Sequence, residues 1–210
     1  MKKVSLIFIL LIGFGCISYA QTVTIGTQVW MTTNLDVTTF RNGDPIPEAK
    51  TDEEWAKAGE NGKPAWCYYN NDPANGAKYG KLYNWYAVND PRGLAPKGWH
   101  VPSDEEWTQL TDYLGRKNVA GTKMKSTSGW KDHKGESGNG TNKSGFSGLP
   151  GGFRYGDGTF YDFGYFGYWW SSTEFNTYVA WTRDLSCSAG DVNRGNASKR
   201  YGFSVRCLRD

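Results

Sequence analysis

Three groups of residues in this sequence have types and spacings that could do chemistry. The first is Gly98-Trp99-His100-Val101-Pro102-Ser103-Asp104-Glu105-Glu106-Trp107, where an imidazole precedes three consecutive carboxylates. A histidine acting as general base needs a nucleophile in a recognisable context, and none accompanies His100. The carboxylates have a simpler use. Ser103 can cap a helix, Glu106 can bond back to it, and Asp104 and Glu105 meet the positive end of its dipole. His100 then reads as a packed residue at the helix entry.

The second group lies between Gly145 and Tyr168, where Phe146, Phe153, Tyr155, Phe160, Tyr161, Phe163, Tyr165 and Phe166 alternate with glycines and with Asp157 and Asp162. Flat rings beside carboxylates suit a carbohydrate, since rings stack on sugar C–H faces and polar groups take the hydroxyls. The plainer use of such rings is a core short of aliphatic side chains, and Trp169 and Trp170 are assigned to that core. Calcium would need six to eight oxygens, which Asp157, Asp162 and Asp191 do not supply, so no metal or other cofactor is expected. The glycines at 148, 151 and 152 follow no strand-to-helix signal and form no phosphate loop.

The third group is the cysteines. Residues 1–20 have a basic start (Lys2, Lys3), an apolar run from Val4 to Ile12 and a Ser18-Tyr19-Ala20 exit, the pattern of a signal peptide cut before Gln21. The run is too short for a stable membrane span, so no insertion is expected after cleavage. A soluble protein, secreted or held in the periplasm or at the cell surface, is expected. A lipoprotein anchored at Cys16 is the alternative. Cleavage leaves Cys67, Cys187 and Cys207, which cannot all pair within one chain. Cys187 with Cys207 is the preferred disulfide, both lying in strand-like sequence near the C-terminus, and Cys67–Cys207 stays open. No zinc-binding spacing is present.

These groups need a scaffold, and composition bounds it. The chain has 210 residues with 24 Lys+Arg against 21 Asp+Glu, and losing the leader removes two lysines. A nearly neutral chain lacks the electrostatic footprint of a non-specific nucleic-acid binder. Ten Trp, thirteen Tyr and ten Phe exclude disorder, while 27 Gly and 8 Pro exclude a helical bundle. Residues 22–210 suit one domain.

Along the chain, Val23 to Trp30 alternates as an edge strand or hairpin, and Leu35 to Phe40 predicts a second short strand. Thr51 and Glu54 form a capping box opening a helix that ends near Gly59. Gly80 to Val88 predicts a helix, stopped by Asp90-Pro91. After Ser103, Trp107, Leu110, Tyr113 and Leu114 share one helical face until Gly115. Long loops and short hairpins are expected from Ser126 to Gly167, with a tight turn at Gly156-Asp157-Gly158-Thr159. Strands follow at Tyr168–Ser172, Tyr178–Leu185 and Tyr201–Leu208. The reading is α+β and loop-rich, with two or three helices and short antiparallel strands.

Several of these segments together resemble a known family. The Gly98–Trp107 segment, Tyr168-Trp169-Trp170-Ser171-Ser172-Thr173-Glu174 and Gly202-Phe203-Ser204-Val205-Arg206-Cys207 look like signatures of the Fibrobacter succinogenes major paralogous domain. Tyr79-Gly80-Lys81-Leu82-Tyr83-Asn84-Trp85 and Gln28-Val29-Trp30-Met31-Thr32-Thr33-Asn34-Leu35 agree, so the resemblance runs from about Thr24 to Asp210. That family is secreted or surface-associated and is similar to the formylglycine-generating proteins, which implies a C-type-lectin-like fold. Members often carry a cysteine where this chain has Ala95, able to bridge to the C-terminal cysteine. Cys187 is then a substitute partner for Cys207, and closing that loop of about twenty residues would stabilise by roughly 3 kcal/mol.

The resemblance does not carry the formylglycine-generating oxidation across, because a copper-holding cysteine pair cannot be placed. The expected function is therefore an exported, non-catalytic module binding a glycan or a surface protein. Its expected ligand-binding residues are Tyr155, Asp157, Tyr161, Asp162, Tyr165, Asn193 and Arg194. The last two belong to Ser188–Lys199, expected to be an exposed polar loop with a modest positive tilt from Arg194, Lys199 and Arg200. Surface display or protein–protein interaction through that loop is the alternative.

Overall fold

The computed structural model of the protein describes residues 21–210, so the expected leader and Cys16 lie outside the described residues. In chain order the elements are β1 (Thr22–Ile25), β2 (Gln28–Met31), α1 (Asp52–Glu60), β3 (Trp66–Cys67), α2 (Gly76–Tyr79), β4 (Leu82–Tyr83), α3 (Trp85–Val88) and β5 (Trp99–His100). There follow α4 (Asp104–Tyr113), α5 (Lys117–Met124), β6 (Phe153–Arg154), β7 (Phe160–Tyr161), β8 (Phe166–Glu174), β9 (Val179–Ser186), β10 (Asn193–Ser198) and β11 (Leu208–Arg209). All paired strands run antiparallel, in a four-stranded sheet of order β1-β2-β11-β5, a three-stranded sheet β10-β9-β8, and the hairpins β3-β4 and β6-β7. The protein is thus mixed helix and small sheets, with five α-helical segments where two or three were expected.

Both expected capping boxes are present. Glu54 N donates to Thr51 Oγ1 at 3.2 Å and Glu106 N to Ser103 Oγ at 3.2 Å, with each glutamate returning to its cap's backbone. The helix expected over Gly80–Val88 is instead β4 followed by the four-residue α3. Leu82 and Tyr83 pair with β3, and the Asn84 side chain caps the short helix at Ala87 N, 3.1 Å away. Leu35–Phe40 forms no ladder: its backbone bonds go to Val205, Lys81, Ile46, Asp44 and Gly43, with one isolated bridge between Thr39 and Pro45. Helix α5 has no amphipathic pattern and no side-chain cap to announce it. It packs where it does because Gly121 lacks a side chain: a Cβ there would stand 2.0 Å from Asp191 O.

Of the expected strand Tyr201–Leu208 only Leu208 belongs to a regular strand, and the rest is a buried segment at the centre of the molecule. Residues 202–208 are all buried, and their backbone is shared among neighbours: Phe203 bonds Tyr83, Ser204 bonds Tyr168 and Trp170, Val205 bonds Leu35, and Cys207 bonds Met31. A segment enclosed on every side cannot show a two-residue period. The fully buried Arg206 stabilises this spine without any acid, donating to Asn34 Oδ1 (3.1 and 2.8 Å), Met31 O and Phe146 O. Burial lowers its pKa to about 9.

Rings supply most of the largest fully buried side chains. Trp169 and Trp170 point to opposite faces of β8 and feed separate clusters, as successive strand residues must. One holds Trp30, Trp107, Phe146 and Trp169; another holds Trp66, Tyr83, Trp85, Trp170 and Phe203; a third surrounds Trp55 and Tyr69. Among the described residues the three cysteines are free thiols, one per cluster: Cys207 in the second, Cys187 in the first, Cys67 in the third. The expected Cys187–Cys207 bridge is not formed, because different cores enclose the two sulfurs.

Candidate ligand-binding cleft

Hairpin β6-β7 presents the expected aromatic residues, and a buried arginine sets its pose. Arg154 donates from Nε to Gly158 O (2.8 Å) and from its terminal nitrogens to Ala49 O, Thr51 O and Asp52 Oδ1. The turn therefore sits directly on the start of α1. Gly158 is required there, since its φ is +105° and a Cβ would lie 2.4 Å from Asp52 Cα. Asp157 closes the turn by accepting from Thr159 N (2.9 Å) and Oγ1 (2.6 Å), bonds that lower its pKa.

With the turn fixed, Tyr155, Tyr161 and Tyr165 are left 41%, 47% and 43% exposed. Tyr155 packs against Tyr201 with centroids 4.5 Å apart, and edge-on to Tyr161 at 6.2 Å. Beside this pair opens a cavity of about 390 Å³ lined by Tyr155, Asp157, Tyr201, Glu60, Arg200 and Ala56. Arg200 Nη2 reaches Glu60 Oε1 at 3.2 Å, while its buried Nε has no partner. Burial and the Tyr155 hydroxyl raise the Tyr201 pKa, so its O–H stays a donor. The cleft thus offers an aromatic wall, two carboxylates and a cation.

The other expected site residues are placed elsewhere. Asp162 takes the Tyr168 O–H at 2.8 Å with its backbone at φ +63°, a hairpin-closing role. Tyr165 lies under the Lys131 ammonium, 4.3 Å from the ring centre. Ser188–Lys199 is not a loop throughout: its second half is β10, and Lys199, just past the strand, is buried and paired with Glu174. Asn193 and Arg194 stand at the far end of that strand from Arg200 and do not line the cleft. Asn193 donates to Asp184 Oδ1 (2.9 Å), while Arg194 stacks 3.5 Å over Trp181 and pairs with Asp104 (2.7 Å). Burial raises Asp184 to about 6. Sequence reasoning missed Tyr201 and Glu60, which no local pattern connects to residue 155, and named Arg200 only for the positive tilt of the 188–199 segment.

A larger cavity of about 640 Å³ lies at the start of α4, lined by His100, Glu105, Glu106, Arg41, Gln109 and Ser172 among others. Its polar groups largely satisfy one another. His100 bonds Asp210 through Nδ1 (2.8 Å) and Glu106 through Nε2 (2.9 Å), and Arg41 donates to Ala95 O and Trp99 O. Desolvation would lower the His100 pKa, but the two carboxylates outweigh it and raise the value. No Trp, Tyr or Phe lines this cavity. The capping reading of Glu106 thus covers one of its oxygens; the other holds the histidine. Asp104 serves Arg183 and Arg194.

Among the described residues no group of three or more His, Cys, Asp and Glu is placed to hold a metal ion, and no helix is long and apolar enough to cross a membrane. No curated protein and no solved structure matches the chain. The family model described as the Fibrobacter succinogenes major domain matches residues 23–209. That match spans nearly every described residue, and it agrees with the motifs at Gly98–Trp107, Tyr168–Glu174 and Gly202–Cys207: the chain belongs to the Fibrobacter succinogenes major domain family.

Proposed function

We propose that the protein is an exported, non-catalytic binding module of C-type-lectin-like fold that takes a carbohydrate in the Tyr155–Tyr201 cleft. The observation that carries this reading is the exposed Tyr155 ring, packed against Tyr201 and flanked by Asp157 and the Glu60–Arg200 pair. A sugar ring has apolar C–H faces and a polar rim. A tyrosine face covers the first, and carboxylate acceptors with a guanidinium donor satisfy the second. The cavity suits one or two sugar units, with neighbouring Tyr161 able to extend the platform. None of these contacts calls for a metal.

The three thiols lie in three separate clusters, which favours this reading over a formylglycine-type dithiol copper site. Affinity electrophoresis through soluble polysaccharides, preceded by a glycan array, tests the proposal. Retardation that survives a chelator and is lost in Tyr155→Ala is expected. Migration unchanged by every glycan would overturn it.

A second reading, docking to a surface protein, has its own observation. At the β8–β9 turn Phe175 and Tyr178 are strongly exposed, and Phe175 meets Trp181 edge-on at 4.7 Å. Aromatic anchors of this kind are common at interface centres. Capture of one surface protein that is lost in Tyr178→Ala, with glycan binding absent, would favour it.

A further inference from the structure

Three lysines of the described chain are buried: Lys81, Lys125 and Lys199. Two of them have a carboxylate, Asp36 for Lys81 and Glu174 for Lys199. Lys125 has none. Its Nζ donates to Ser186 O (2.9 Å) and Ala189 O (2.8 Å), which leaves one of the three ammonium hydrogens unassigned. Burial lowers its pKa, and Cys187 and Asp191 oppose this only in part. A desolvated cation supported by two neutral carbonyls and, 5.4 Å away, the Trp130 ring gains further from an anion that completes its shell.

The same ammonium lines a cavity of about 220 Å³, apart from both the tyrosine cleft and the His100 cavity. The walls are polar: Thr122, His133, Ser137 and Ser188 contribute hydroxyls and an imidazole, and the buried Cys187 is part of the same lining. Exposed Glu136 stands on the wall as well. It would repel a bare anion at the mouth, but would accept from a ligand that also carries hydroxyl or amino hydrogens. The cavity is therefore complementary to a small molecule with an anionic end and a donor-rich end.

We propose that this cavity binds a small organic carboxylate bearing hydroxyl or amino groups, its carboxylate taking the free hydrogen of Lys125 and its donors facing Glu136. The inference stands independently of the sugar cleft, because no residue is shared between the two. It assigns a place for the one buried lysine without an acid, and it makes Cys187 a built-in reporter of occupancy.

Calorimetry on the full chain carrying Tyr155→Ala, which removes the exposed ring of the sugar cleft, with glucuronate, glutamate, acetate and neutral glucose tests it. Glucuronate or glutamate binds and glucose does not, and the better of the two names the source of the carboxylate. Lys125→Gln keeps a donor for the Ser186 and Ala189 carbonyls while removing the charge, and weakens binding by about tenfold or more. Lys125→Met serves as a second variant, with circular dichroism confirming the fold. The bound carboxylate also slows alkylation of Cys187 by iodoacetamide while leaving Tyr155→Ala, a cleft variant, equally protected. Affinity unchanged in Lys125→Gln, binding of glucose as strong as glucuronate, absence of binding by every carboxylate, or Cys187 alkylation indifferent to ligand would each overturn the proposal.

Discussion

The rings of Tyr155 and Tyr201 pack 4.5 Å apart at an angle of 40°, joining the β6–β7 hairpin to the buried spine that ends the chain. Tyr155 keeps its outer face in solvent, whereas Tyr201 also meets Phe153 and Phe203 at 5.9 and 6.2 Å. The two positions should therefore separate binding from stability. Tyr155→Ala is expected to weaken glycan binding about tenfold with little change in Tm, on the order of the 1–1.5 kcal/mol that one ring contact supplies. Tyr201→Ala is expected to lower both, read by affinity electrophoresis and thermal denaturation side by side.

Asn34 is a hub for three buried donors. Its Oδ1 receives Arg206 Nε and Nη2 and Trp169 Nε1, while its Nδ2 donates to Tyr79 O and Ser204 Oγ. Asn34→Ala strands those donors, including two on a buried cation, and should cost about 3 kcal/mol or more in urea denaturation. A loss below about 1 kcal/mol would mean that the spine does not depend on this hub.

His100 makes stability depend on pH in a defined direction. Its folded pKa is raised, so its contribution is complete below the unfolded value of about 6.5 and fades as pH rises through the folded value. Glu106 is the opposite case: burial would raise it, but the Ser103 and His100 hydrogen bonds prevail and lower it. Its contribution is present above about 4.3 and is lost as pH falls through the folded value. The difference in Tm between wild type and His100→Gln is therefore expected to be greatest between about pH 4.5 and 6.5 and to shrink toward pH 9. A difference constant over that range would contradict the clamp.

The thiols should be distinguishable without reductant. Burial pushes Cys67 and Cys207 up to about 12, whereas Cys187 borders a cavity. Alkylation of the native protein is expected to label Cys187 first and the other two only on unfolding, as mapped by peptide mass spectrometry. Recovery of a Cys187–Cys207 disulfide peptide would refute the arrangement of one thiol per core.

The sequence by itself determined the local signals: both capping boxes, the buried face of Trp107 and Leu110 in α4 continued by its cap Leu114 (Tyr113, expected on that face, is exposed), the Gly156–Thr159 turn and the strands β8 and β9. Each depends on residues within a few positions of one another, so propensity and spacing suffice. It also placed Tyr155, Asp157 and Tyr161 together on one hairpin. Tertiary structure alone decided which rings stay exposed, since any of the rings from 146 to 166 could have filled the core. It decided that residues 193–198 form a strand carrying Asn193 and Arg194 away from the hairpin, because pairing with β9 is a contact between segments. Tyr201 reaches Tyr155, Glu60 reaches Arg200, and Lys125 is left without an acid through packing of segments far apart in the chain. Near neutrality and abundant rings fixed the kind of core; burial of residues 202–208 among those rings fixed where the surplus rings would face water.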